Sequence, residues 1–277
     1  MDVHGGKTVT LGPRNYLGIG YSGAAVSITV EGANIMTRSL MIFGQGAIRC
    51  HPYAYHEMEA LRQNDEVAFD RAFSGHIGHV VRNATRCTVL GLTRGWLAKA
   101  TTRGPAKKWE KKLHWASAQF ALLSDVAMGG LGGDLKRKEK LTGRFADVFS
   151  WLYLGTAVLR RFEFEGRKRE DIPLLDWSMR YALARMQEAF DGILSNLAIP
   201  GATWFFRGPW AAWSRVNPLA ANEPPDWLGH KLAKLVQVPG EQRDRLTAGM
   251  YVPSDATEQV GRLDRAMRLC TEAEAVV

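Results

Sequence analysis

The chain has 277 residues, enough for one large domain or two modest ones with a sizeable hydrophobic core. A hydrophobic content of 46% excludes global disorder, and the longest apolar stretches are too short to span a bilayer. The formal net charge of +8 comes mainly from two lysine-rich runs, 107–112 and 136–140, each of which contains one glutamate. Such runs are typical of a solvated helix face, with attraction to an acidic lipid surface or to phosphates as the alternative, and no nucleic-acid-binding module accompanies them.

Helical periodicity and Gly/Pro punctuation predict an all-α chain. Residues 18–23 spell G-x-G-x-x-G, but no good strand precedes them and no acid follows at the distance that a dinucleotide site requires, so we interpret them as a flexible loop. A broad apolar face that stops at Pro52 predicts a helix over residues 31–49. Further helices are predicted near residues 54–73, 76–93, 107–130, 135–165, 172–197, 226–238 and 256–275.

Tryptophan and cysteine usage adds two expectations. The nine tryptophans recur in helical stretches, where core and interdomain packing is their more common use. The three cysteines show no Cys-x-x-Cys spacing, which predicts reduced thiols in a reducing compartment and argues against a zinc knuckle.

Histidines and buried acids are the remaining candidates for chemistry. The pairs His51/His56 and His76/His79 have no companion carboxylate or cysteine at a ligand spacing, so we predict no metal site. Four acids lie within apolar helical patterns, and we expect them to form structural ion pairs with arginines at helical distances. The acids are Asp125, Asp147, Asp176 and Asp191, and the candidate partners are Arg144, Arg160, Arg180 and Arg185.

Glu31 is a single carboxylate between Val30 and Gly32 in an apolar stretch. Packing gives little reason for it, because a buried unpaired charge is costly. One explanation is a proton-abstracting base, since apolar surroundings raise a carboxyl pKa and the adjacent glycine lets a substrate approach the backbone. The other is an exposed residue in the first turn of a helix, stabilised by the helix dipole, and residue types alone favour it.

The segment Glu31-Gly32-Ala33-Asn34, followed by Arg38, resembles the Glu-Gly-Thr-Asn or Glu-Gly-Thr-Ser motif of acyl-CoA dehydrogenases. Alanine replaces threonine here, which removes a hydroxyl that family members can offer to the flavin. The wider stretch 12–52 looks like the bacterial FadE-type enzymes. Similarity to the C-terminal region of that type continues at residues 114–128, 131–144, 151–154, 158–163, 186–194, 228–230 and 243–249.

The resemblance implies an FAD-dependent enzyme of fatty acid β-oxidation that converts a fatty acyl-CoA to the trans-2-enoyl-CoA. Glu31 is then the catalytic base, and the backbone N–H of Gly32 helps to hold the substrate's thioester carbonyl. Ala33 and Asn34 are expected to contact the cofactor FAD.

The residues His4, Gly5 and Gly6 resemble a family segment that contacts the ADP portion of the flavin. Residue types alone favour a loop of no consequence, whereas glycines also let backbone N–H groups face a pyrophosphate. The resemblance also divides the chain: residues 1–50 correspond to the end of the dehydrogenase C-terminal domain with the catalytic segment, and residues 51–277 to the FadE-type helical domain. On this basis we expect the chain to be the C-terminal part of a longer enzyme and to be inactive alone.

The same resemblance implies partners and a location. We expect a fatty acyl-CoA substrate, an electron-transfer flavoprotein as electron acceptor, a homo-oligomer and no nucleic acid. The expected location is the cytoplasm, with association with the inner face of the cytoplasmic membrane left open. The alternative function is a non-catalytic helical module that docks subunits or lies on a membrane surface.

Overall fold

Helices make up 78% of the structure, and the described part of the chain contains no strand, which confirms the predicted all-α fold. The structure is a computed structural model that describes residues 5, 6, 8, 10, 15–30, 33–255 and 257–276. These residues fall into two compact units: residues up to Asn34 together with those from Asp226 onward, and Ile35–Pro225. The domain boundary predicted after residue 50 stays a prediction.

Thirteen α-helices occur in the described residues. In chain order they are α1 (Tyr16–Val30), α2 (Asn34–Met36), α3 (Gly46–Cys50), α4 (Ala54–Gln63), α5 (Glu66–Leu92), α6 (Ala106–Leu131), α7 (Glu139–Phe164), α8 (Ile172–Asn196), α9 (Thr203–Phe205), α10 (Ala211–Val216), α11 (Asp226–Gln237), α12 (Glu241–Leu246) and α13 (Gln259–Glu274). Two π-helical segments, Thr37–Gln45 and Phe206–Trp210, join α2 to α3 and α9 to α10. None of the described helices combines the length and hydropathy that crossing a membrane requires.

The boundary between α4 and α5 follows from two adjacent polar residues. Asn64 adopts the left-handed conformation (φ 53°) and ends α4, as asparagine does more readily than most residues. Asp65 then caps α5, because its carboxylate accepts the backbone N–H of Ala68 at 2.9 Å. The single helix predicted over residues 54–73 is therefore two helices.

Helix α1 replaces the flexible loop that we predicted over residues 18–23, so that prediction was wrong. The side-chain oxygen of Asn15 accepts the backbone N–H of Gly18 at 2.8 Å, which satisfies a donor in the first turn of α1. The side-chain amide of Asn15 also donates to the carbonyls of Thr8 and Thr10. A capping residue directly before the glycine-containing stretch was the signal that the sequence interpretation missed.

The core of the second unit is built around α7. This helix packs against α6, α8 and the π-helical segment Thr37–Gln45, while α5 packs against α4 and α6. The side chains between these helices are large and fully buried, so their burial dominates the stability of the unit. Among those less than 2% exposed are Leu123, Phe145, Met179, Leu183, Met186, Phe190 and Ile193.

The tryptophans divide between core and surface. Trp109 and Trp115 are 5% and 3% exposed and belong to the core, as predicted. Trp96, Trp204 and Trp227 are each more than 60% exposed, so core packing does not account for all nine.

The first lysine-rich run contacts other parts of the same unit. Lys111 donates to the carbonyl of Trp96, Lys112 donates to the carbonyl of Leu219, and Lys108 lies 3.1 Å from a carboxylate oxygen of Asp176. Burial lowers the pKa of Lys112, and the positive charges of nearby arginines lower it further. This run therefore connects α6 to other parts of the unit. Residues 136–140, by contrast, are exposed, as expected of a solvated face.

Candidate functional site

The structure describes part of the predicted catalytic motif. Glu31 and Gly32 lie outside the described residues, so their roles stay predictions. Ala33 is half-buried, and Asn34 is exposed at the start of α2. The chain continues from these two residues into the π-helical segment Thr37–Gln45, so the support of the motif can be followed from there.

Of the three residues predicted to contact the ADP portion of the flavin, His4 lies outside the described residues. Gly5 and Gly6 form a short exposed turn, and Gly5 has a φ of +57°. A Cβ atom built on either glycine meets nothing within 4 Å. The backbone of this turn is accessible, which backbone contact with a pyrophosphate requires.

Arg38 anchors the helical segment after the motif to α7. Its Nε atom donates to Asp147 Oδ1 at 2.6 Å, and its Nη2 atom donates to Asp147 Oδ2 at 2.5 Å. The hydrogen bond to Asp147 raises the pKa of Arg38, against the opposing effect of partial burial. Two parallel charge-assisted hydrogen bonds fix direction as well as distance. Arg38, which we predicted to belong to the catalytic motif, therefore orients this segment on α7.

Two buried contacts reinforce that anchor. The hydroxyl of Thr142, which is fully buried in α7, donates to the backbone carbonyl of Ser39 at 2.6 Å. Phe43 is 3% exposed and stacks on Phe145 with ring centroids 4.3 Å apart and an interplanar angle of 8°. The carbonyl of Ser39 lies in a π-helical stretch, where the backbone hydrogen-bond pattern differs from that of an α-helix. The Thr142 hydroxyl provides this carbonyl with a hydrogen-bond donor.

His51 ends the segment and bonds to a buried carboxylate of α6. Its Nε2 atom lies 3.0 Å from Asp125 Oδ1, and the carboxylate is only 3% exposed. Its Nδ1 atom accepts the backbone N–H groups of Tyr53 and Ala54 at 3.2 and 3.0 Å. Because Nδ1 acts as an acceptor, the proton of the neutral ring is on Nε2 and is donated to Asp125.

His79 of α5 approaches the same carboxylate. Its Nε2 atom is 4.0 Å from Asp125 Oδ2, and Arg82 lies 3.1 Å from its Nδ1 atom. Burial lowers the pKa of His79, and the negative charge of Asp125 opposes that shift. His51, His79 and Asp125 thus bring three groups that are able to ligate a metal within 4.8 Å of one another.

The sequence interpretation did not find this cluster, because Asp125 is remote from the histidines along the chain. A metal ion bound there has to displace the Nε2 proton of His51, since the Nδ1 atom is engaged by two backbone N–H groups. The hydrogen-bond pattern therefore favours a direct His51–Asp125 hydrogen bond that joins the end of α3 to α6.

An apolar cavity of about 420 Å³ lies between this segment and α6. His79 and Asp125 line it at one side, together with Ser124, whose hydroxyl is buried and finds no hydrogen-bond partner in the described part of the chain. Its apolar walls include Ile42, Phe43, Ala47, Phe120, Met128 and Phe149.

Glu110 fastens the loop before α6. Both of its carboxylate oxygens accept backbone N–H and hydroxyl hydrogen bonds from Thr101 and Thr102, at 2.6–3.0 Å. Burial by itself raises the pKa of Glu110, but these hydrogen bonds outweigh it and lower the pKa to about 2. The carboxylate borders a larger cavity of about 690 Å³.

The predicted arginine partners of the four acids were wrong. Asp147 pairs with Arg38 and Asp125 with His51. Asp176 accepts the Trp109 indole N–H at 2.8 Å and lies 3.1 Å from Lys108. Asp191 accepts from Gln187 and Ser214 at 2.9 Å. Helical spacing correctly indicated that these acids have structural roles. Their partners depend on how the helices pack, which the spacing along one helix does not predict.

Comparison with known proteins identifies the family. Residues 48–277 match the family described as acyl-CoA dehydrogenase, C-terminal, bacterial type. No solved structure matched the chain.

Proposed function

The chain belongs to the family of bacterial-type acyl-CoA dehydrogenase C-terminal domains, and on that premise we propose that it forms part of an FAD-dependent enzyme. The proposed reaction is the α,β-dehydrogenation of a fatty acyl-CoA to the trans-2-enoyl-CoA. The observation that carries the proposal is the family match beside the Glu31-Gly32-Ala33-Asn34 motif. The firm attachment of the following segment to α7 supports it.

In the proposed mechanism, Glu31 removes a proton from the α-carbon of the thioester. Negative charge then develops on the thioester oxygen, and the backbone N–H of Gly32 stabilises it. A base acts efficiently only when its backbone is held in place. Arg38 and Phe43 fix the later segment Thr37–Gln45 on α7.

The residues proposed to hold FAD are His4, Gly5, Gly6, Ala33 and Asn34. Those that the structure describes fit this role: Gly5 and Gly6 present an open backbone, and the side chain of Asn34 is exposed. FAD held by these residues would supply the acceptor for the hydride that leaves the β-carbon of the substrate.

The surface of α1 fits a larger assembly. Residues 20–30 are exposed throughout, among them Tyr21, Val26, Ile28 and Val30, whose exposed fractions are 60–74%. An exposed apolar helix surface is typical of a region that another domain or subunit covers. We propose that another domain or subunit covers this surface in the complete homo-oligomeric enzyme. We also propose that the enzyme passes its electrons to an electron-transfer flavoprotein and is located in the cytoplasm.

The test is the visible spectrum of the chain co-expressed with the preceding half of a FadE-type enzyme, before and after addition of a long-chain acyl-CoA. We expect a flavin band that bleaches with substrate, and we expect Glu31→Gln to abolish bleaching without loss of bound flavin. The matched control is Glu66→Gln, an exposed glutamate at the start of α5, which should bleach like the unmodified chain.

Two results count against the proposal. Bleaching that persists in Glu31→Gln removes Glu31 from the role of base. A folded co-expressed assembly without flavin removes the dehydrogenase function from this chain. The alternative, a docking or membrane-surface module, then applies, and it predicts co-sedimentation with anionic vesicles that weakens as salt is raised.

A further inference from the structure

A cavity of about 390 Å³ lies against α6, and we call it the indole cavity. Residues of α5, α6, α8 and the stretch 205–217 line it. Its volume lies within the range of small-molecule sites. Four aromatic side chains form much of its wall: Trp115, Phe205, Trp210 and Trp213.

Two indole nitrogens of this cavity lie near the same residue, Gly91. Trp115 Nε1 lies 3.7 Å, and Trp213 Nε1 lies 4.0 Å, from the position that a Cβ atom on Gly91 would occupy. Trp115 is 3% and Trp213 45% exposed, and neither indole N–H donates a hydrogen bond to any residue within the described ranges. An indole N–H can only donate, so both groups are available to an acceptor that enters the cavity.

Gln119 adds a third polar group without a partner. It lines the indole cavity, is 7% exposed, and its side-chain amide makes no hydrogen bond to another described residue. Neighbouring amides are engaged: Asn217 donates to the carbonyl of Gly91 at 2.7 Å, and Gln187 accepts from the Leu219 N–H and donates to Ser214. The cavity therefore presents three side chains whose donors are not engaged by described residues.

The lining also indicates the charge of a suitable ligand. None of the residues that line the cavity in the described structure is an aspartate, glutamate, lysine or arginine. Burial raises the pKa of the Cys87 thiol, which also lines it, to about 11, so this group is neutral at physiological pH. An uncharged lining disfavours an ionic ligand, because nothing compensates for its lost hydration.

We propose that the indole cavity binds a neutral planar aromatic compound that carries a carbonyl oxygen. The two indole N–H groups donate to the two lone pairs of that oxygen, and the ring packs against Phe205 and Trp210. Aromatic side chains favour stacked or edge-on contact with a planar ring. This inference does not depend on the proposed dehydrogenase function, since no residue of the catalytic motif takes part.

The test uses two probes that differ in the carbonyl alone. Ligand-observed fluorine NMR on the full chain measures the affinity of para-fluoroacetophenone and of para-fluoroethylbenzene, which has the same ring and no acceptor. We expect the ketone to bind about tenfold more tightly, the order expected for two hydrogen bonds of modest net strength.

Gly91→Ala places a methyl group close to the indole nitrogens of both Trp115 and Trp213. Its contacts of 3.7 and 4.0 Å are ordinary van der Waals distances, and alanine favours a helix over glycine, so the variant should fold. The matched control is Gly78→Ala in the same helix, where the new methyl group meets nothing within 4 Å. We expect Gly91→Ala to lose the tenfold preference for the ketone and Gly78→Ala to keep it.

Three results overturn the proposal: no binding of the ketone, equal affinity for both probes, or an unchanged preference in Gly91→Ala. Thermal unfolding of the two variants provides the folding control. Both should unfold at or above the temperature of the unmodified chain, because both replace a helical glycine with alanine.

Discussion

Removal of the Phe43 ring should loosen the attachment of the π-helical segment Thr37–Gln45 to α7. Phe43 is 3% exposed, stacks on Phe145 at 4.3 Å and meets Phe120 edge-on at 6.1 Å. These contacts are the main apolar attachment of the π-helical segment Thr37–Gln45. The substitution Phe43→Ala keeps the backbone and removes the ring, so it measures the strength of this attachment.

The expected magnitude follows from burial and ring geometry. Full burial of a phenylalanine side chain contributes about 1.5–3 kcal/mol. The stacked pair with Phe145 adds about 0.5–1.5 kcal/mol. We therefore expect Phe43→Ala to lower the free energy of unfolding by about 2–4.5 kcal/mol, which overlaps the range for buried Phe→Ala substitutions.

Urea denaturation measures the free energy of unfolding, and hydrogen exchange locates the change. We expect amides of residues 37–50 to lose more protection than those in the middle of α8. The matched control is Met41→Ala in the same segment, whose side chain is 55% exposed and whose loss should cost less than about 0.5 kcal/mol.

Equal destabilisation by Phe43→Ala and Met41→Ala would refute this reasoning. So would a large loss of stability in Phe43→Ala with unchanged exchange in residues 37–50. In the first case the stacked pair does not hold the segment, and in the second the ring stabilises the unit without holding residues 37–50 in place.

The remaining predictions concern thiol reactivity and pH. In the native chain a thiol-specific reagent should modify the exposed Cys50 and Cys270 quickly and the buried Cys87 only after unfolding, because burial raises the Cys87 pKa to about 11; equal rates for all three would contradict this. The folded-state pKa of Glu110, about 2, lies below its ordinary 4.5, so its stabilising contribution is complete above about pH 4.5 and is lost as the pH falls toward 2. The stability difference between the unmodified chain and Glu110→Gln, measured by urea denaturation, should therefore shrink over that interval, and a constant difference would be the contrary result.

Local patterns were sufficient to predict the fold class and the longest helices. The predicted helix over residues 107–130 corresponds to α6 (Ala106–Leu131), and that over 172–197 to α8 (Ile172–Asn196). Such patterns depend on neighbours three or four positions apart, which are present in the sequence itself. They failed where one polar residue changes the local backbone, as Asn15 does before α1 and Asn64 does after α4.

The sequence by itself determined the all-α character, the family resemblance and the identity of the motif residues. Only the tertiary structure decided which groups meet: Arg38 and Asp147 are 109 positions apart, and His51 and Asp125 are 74 apart. The tertiary structure likewise brings the indole nitrogens of Trp115 and Trp213 close to Gly91. Helix periodicity is local, whereas the side chains that face each other across two helices depend on crossing angles and packing, which no single stretch of sequence contains.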